Sequence, residues 1–222
     1  MGIAAKGASM TLGPFALCAL CALSPAHALA ESRGCIETPL VAALRPARVV
    51  AWADKLAPIE VESPAKSGVA SIRLYGSDGE VDPAALEAFE RAATQPDDDV
   101  HPLAARLVQL VFKAAYHFGG RRVVVVSGFR PHASKHGTNE ALDFKLKGVR
   151  ASILAAYLRG MPRAGVGIYT HPRTQYVHLD VREPSFHWID ASPPGVHWRE
   201  GTLWDKNAAK RDAAWTPEMD LP

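Results

Sequence analysis

His136 and Asp143 stand seven residues apart in the segment 123–144, VVVVSGFRPHASKHGTNEALDF. An imidazole and a carboxylate so placed can share a metal ion, but a third ligand has to come from elsewhere. The best candidate is His178, in the run Tyr176-Val177-His178-Leu179-Asp180. Strict period two in 176–181 turns Val177, Leu179 and Val181 towards the core and sets Tyr176, His178 and Asp180 on the other face. A carboxylate beside a metal ligand suits a proton acceptor or a group that orients the ligand. A lone strand histidine is more often structural, and the metal reading holds only if His136 and Asp143 converge on His178.

The positioning elements are legible in part. The valines at 123–126 are apolar on both faces, as in a central strand, and the polar loop after Ser127 falls where functional loops commonly lie. In 140–146, Leu142, Phe144 and Leu146 take one face while Ala141, Asp143 and Lys145 take the other. On that pattern Asp143 is either a solvent-facing strand residue or a functional one. Asp82 and Pro83 read as N-cap and first-turn residues of a helix over 84–93. A second helix opens at Pro102, buries Leu103, Leu107, Leu110, Val111, Ala114 and Phe118, and stops at Gly119-Gly120. A third covers 149–159, with Ile153, Leu154, Tyr157 and Leu158 inward. Residues 71–75 alternate as a half-buried strand. Residues 164–169 form a glycine-rich strand suited to close approach by backbone or ligand.

The chain has 222 residues, 48% hydrophobic and 22% charged, with a formal charge of +2. This fits one globular core and gives no reason to expect nucleic acid or a polybasic membrane anchor. Residues 1–30 read as a signal peptide: Lys6, a short uncharged apolar run over 11–23, and Ala28-Leu29-Ala30 as the cleavage site. Cys35 is then the single cysteine left, so no internal disulfide framework is expected. Residues 31–70 read as a proline-broken lead-in on the surface. Residues 191–222 read as a Trp- and Pro-rich extension that is weakly ordered from about 205.

The series Ser127-Gly128-Phe129-Arg130-Pro131, Ser134-Lys135-His136, Ala141-Leu142-Asp143-Phe144, 165–169 and 176–180 resembles the zinc D-Ala-D-Ala peptidase family, in family order. It is most similar to the murein endopeptidase K-like branch, over roughly 71–190. The resemblance implies an α+β fold, a small central antiparallel sheet with flanking helices, carrying one zinc ion on His136, Asp143 and His178. It also implies that Arg130 pairs with the substrate's carbonyl or carboxylate, with Ser127 and Tyr176 as further substrate contacts. Two departures stand out. Asn139 replaces a usual glycine, in a turn that asparagine tolerates. Gln175 and Tyr176 stand where many relatives place a Glu or His, which leaves Asp180 as the substitute base. The function implied is an exported, periplasmic or secreted zinc peptidase acting on peptidoglycan stem peptides or cross-links. The alternative is a non-catalytic zinc-containing binding module, as hedgehog-type relatives are.

Overall fold

The computed structural model describes residues 51–63, 68–95, 99–131, 134–196 and 200–222. The expected signal peptide, Cys35 and Trp198 lie outside the described residues. Those described all fall within one compact unit, Leu44–Pro222. In chain order the elements are β1 (Ile59–Glu62), β2 (Val69–Ile72), α1 (Pro83–Ala93), α2 (Ala105–His117), β3 (Val123–Ser127), α3 (Ser134–Gly137) and β4 (Ala141–Leu146). There follow α4 (Ala151–Leu158), β5 (Ala164–Tyr169), β6 (Tyr176–Val181), β7 (Phe186–Asp190), β8 (Glu200–Thr202) and α5 (Ala208–Ala213).

The strands form one sheet in the order β2-β1-β3-β4-β6-β5-β7-β8. The α+β architecture with a central sheet is as expected. The sheet is wider than expected, and two of its joins, β1 with β3 and β5 with β7, are parallel. Period two then divides the chemistry from the core. Leu142, Phe144 and Leu146 of β4 and Val177 and Leu179 of β6 are buried in one cluster with Leu107, Leu110 and Val111 of α2 and Leu154 and Leu158 of α4. Asp143, His178 and Asp180 occupy the alternate positions of the same strands, on the opposite face. Direct pairing of Asp143 with His178 across β4 and β6 sets the two side chains next to each other.

Helix α1 starts as its sequence requires: the Asp82 carboxylate accepts from the Ala84 N–H at 2.9 Å, and Pro83 fills the first turn. Ile153 is 42% exposed, so the third expected helix turns a narrower face inward, through Leu154, Ala155 and Leu158.

Three expectations are corrected. The described part of the lead-in does not wrap the surface: Ala53, Ile59 and Val61 are buried, and β1 joins the sheet through Val61 opposite Val123. Ile59 and Val61 alternate with Glu60 and Glu62, whose carboxylates hold Arg122 at 2.7 and 2.9 Å, so one short strand serves both core and surface. The strand expected at 71–75 is shifted to Val69–Ile72, while Leu74 and Tyr75 stay buried beyond its end. The end of the chain is anchored as well. Arg106 of α2 donates to the Asp220 carboxylate at 2.7 Å and to the Pro162 and Arg163 carbonyls, and Trp215 lies against the guanidinium groups of Arg106 and Arg163.

Candidate metal centre

Three side chains, two from the central sheet and one from α3, meet on its open face. His136, Asp143 and His178 are 3%, 1% and 5% exposed, and each brings one ligating atom to within 4.8 Å of the others. The pairing of β3 with β4 slips by one residue between Val125 and Ser127, a bulge that brings Ser127 opposite Asp143 and starts the loop to His136. Asn139 closes that loop with φ 62°, the left-handed conformation that asparagine tolerates.

The hydrogen bonds fix what the imidazoles present. His136 Nδ1 lies 2.6 Å from the Gly128 carbonyl, which can only accept, so Nδ1 carries the proton and Nε2 points inward. His178 Nε2 lies 3.0 Å from Asp180 Oδ2, so the same logic turns Nδ1 inward. There the two nitrogens stand 3.1 Å apart, with Asp143 Oδ1 at 2.9 Å from His178 Nδ1 and 3.4 Å from His136 Nε2. With both rings neutral, two lone pairs and a carboxylate oxygen would face one another across a buried space. Such a donor set requires a cation or a shared proton between them. Two imidazoles and one carboxylate are also the ligand types of catalytic zinc sites. The residues therefore fit a metal ion.

The charges tell the same story. Burial works to raise the Asp143 carboxyl, but the close approach of both imidazoles outweighs it and holds the carboxyl well below the usual carboxylate range. Burial works to lower His178, and Asp143 and Asp180 together push it above its ordinary value.

The outer contacts differ from the sequence-based expectation in one respect. Asp180 is fully buried, and it sits on the far nitrogen of His178, away from the inward side of the ring. Its two oxygens are also held by Arg182 Nε and Nη2, each at 2.5 Å. This is the geometry of a carboxylate that orients a ligand, whereas a base must face the reacting water. Arg130 Nη2 donates to Asp143 Oδ2 at 2.9 Å, and the half-exposed guanidinium lines the adjoining cavity.

That cavity, about 420 Å³, is walled by His136 and His178, Arg130 and Arg182, Tyr169, Phe186 and Trp188, and β8. Tyr176 stacks on Tyr169 at 4.3 Å, and Tyr169 is the one that lines the cavity. Burial raises both phenols, Tyr176 to about 12, so each is a proton donor at neutral pH. Ser127 is not part of the wall. The residues that sequence reasoning passed over are Tyr169, Arg182, Phe186 and the β8 strand. The available signal was weak: Phe186 and Trp188 are two apart, as on one strand face. The glycines of β5 explain how Trp188 and Asp180 approach so closely. A Cβ on Gly167 would fall inside contact with the Trp188 ring, and one on Gly165 inside contact with Asp180 and Arg182.

Searches of curated proteins and of solved structures return no match. Residues 82–180 match the family model described as Peptidase M15, a stretch that begins at the cap of α1, ends at Asp180 and contains all three clustered residues. Together with the buried His136–Asp143–His178 cluster, that match supports a peptidase of the M15 kind, with a site able to hold the metal such peptidases use.

Proposed function

We propose that this chain is an exported zinc peptidase that hydrolyses peptide bonds in the stem peptides or cross-links of peptidoglycan. The observation that carries the reading is the inward convergence of His136 Nε2, His178 Nδ1 and Asp143 Oδ1 beside a cavity rich in cationic donors. A zinc ion held there would supply Lewis acidity and a water whose pKa falls to about 7. Arg130 and Arg182 line the cavity as donors for a developing oxyanion or a peptide carboxylate. Tyr169 adds a phenol that stays protonated. Asp180 positions His178, and Arg182 holds Asp180 in turn. The sequence features that support export are the apolar run and the small-residue site within 1–30. Among the described residues no helix is long and apolar enough to cross a membrane.

A second reading, a binding module that keeps the metal without turnover, draws support from the commitment of Asp180 to Arg182. One experiment separates the two. Purified peptidoglycan is incubated with the protein, with and without added zinc, and soluble fragments are analysed. Zinc-dependent release that is lost in His178→Ala supports the peptidase. Co-sedimentation with the polymer and no release supports the binding module.

A further inference from the structure

β7 carries one polar side chain, His187, on the face away from the metal cluster. Trp188 faces the cavity, with its ring 4.8 Å from that of His178, and its neighbour His187 points to the other side of the sheet. His187 is 2% exposed, and neither of its ring nitrogens has a hydrogen-bond partner; the nearest carboxylate oxygen, Asp205 Oδ2, is 3.9 Å away. Buried polar groups are almost always paired, so an imidazole with both nitrogens idle calls for a ligand or water. It opens on a cavity of about 300 Å³ whose other walls are Arg159, Leu203, Trp204 and Asp205. Trp204, at the rim of this cavity, is 89% exposed.

We propose that this second cavity is a saccharide-binding site, in which a pyranose ring lies on Trp204 and its hydroxyl or acetamido groups bond to His187, Asp205 and Arg159. The electron-rich face of an indole attracts the C–H edge of a sugar ring. The polar groups are mixed in kind. Asp205 accepts and Arg159 donates. Burial and the neighbouring Arg211 hold His187 below its ordinary value, so at neutral pH it offers one donor and one acceptor. Arg211 is bonded to Asp205 at 2.8 Å, so that carboxylate is held in place, and Arg159 supplies the charged donor of the wall for hydroxyl or acetamido oxygens. The site shares no residue with the metal cluster, so it stands or falls independently of the peptidase reading.

The probe is the β-1,4-linked tetramer of N-acetylglucosamine, titrated into the full chain and followed by the indole N–H resonances. The expected result is a saturable shift of the Trp204 signal. Trp204→Ala, a change at an exposed position that leaves the core untouched, should weaken binding by about tenfold or more. Arg159→Ala should weaken it by a smaller factor. The proposal is overturned if the tetramer does not bind the wild-type chain, or if Trp204→Ala binds it equally well. It is also overturned if the loss is confined to Trp188→Ala, because the sugar would then lie in the cleft beside the metal cluster.

Discussion

Asp180 grips the outer nitrogen of His178, with Oδ2 3.0 Å from Nε2, while the inner nitrogen of the same ring stands 2.9 Å from Asp143. One imidazole is thus held between two carboxylates in different positions, the inner one among the atoms that could hold a metal and the outer one fixing the tautomer. Replacing the outer carboxylate tests this division. Asp180→Asn should weaken zinc binding by about 10–100-fold, the usual effect of losing such a partner. Competition with a chromogenic chelator measures it, and excess zinc should restore most of the activity. Full zinc affinity with activity lost would return Asp180 to the role of base.

The cluster itself makes a stoichiometric prediction. The purified chain should carry one zinc ion, and His136→Ala or Asp143→Asn should each reduce metal content per chain to well below one. Elemental analysis after dialysis gives the answer. Unchanged content in either variant would remove that residue from the ligand set.

Crowding at β5 predicts the cost of a single methyl group. Gly167→Ala should push the Trp188 ring off His178 and destabilise the chain by about 1–3 kcal/mol, the range for overpacked sites. Thermal unfolding, together with the change in indole fluorescence, reports both effects. A wild-type melting temperature with unchanged fluorescence would show that the ring moves freely.

A buried carboxylate outside the site sets an acid limit. Asp212 accepts from the backbone N–H groups of Arg163 and Ser185 at 2.6 and 2.7 Å and from the Ser185 hydroxyl at 2.7 Å. Burial works to raise its carboxyl, and these bonds outweigh burial and hold it below its ordinary value. A depressed folded-state value means that the stabilisation is present above the unfolded value near pH 4 and is lost as pH falls through the folded one. Asp212→Ala should therefore cost about 3 kcal/mol at pH 7. That difference should shrink below pH 4 when both proteins are melted across a pH series. A gap that stays constant into acid would show that packing, and not charge, is the cause.

What was legible in the sequence was local. The Asp82–Pro83 cap, the apolar stripe of α2 and the alternation in β4 and β6 each depend on a few neighbouring residues, and each appears in the structure. The three clustered residues were legible through motif order. Their convergence, by contrast, is made by pairing between segments 35 residues apart. β1 is not legible because Pro58 and Pro64 bracket a run of five residues too short to show a period. The anchoring of the tail is not legible locally, because its hold on the protein comes from Arg106, more than a hundred positions earlier. Asp180 was assigned to the correct face, but the strand pattern carries no information on which side of the His178 ring it would occupy.

The direct pairing of Asp143 with His178 has a consequence for how this chain tolerates change. The ladder between β4 and β6 works as a ruler, and the same ladder seats Leu142 and Leu179 in the core. Inserting one residue inside either strand would exchange its two faces at a stroke, sending the ligand into hydrocarbon and the leucine into the cleft. The loop between Thr170 and Gln175, which only joins β5 to β6, is free of that arithmetic and can lengthen. Variation in length should accordingly collect in the connections, while the strands that carry the cluster keep their residue count fixed.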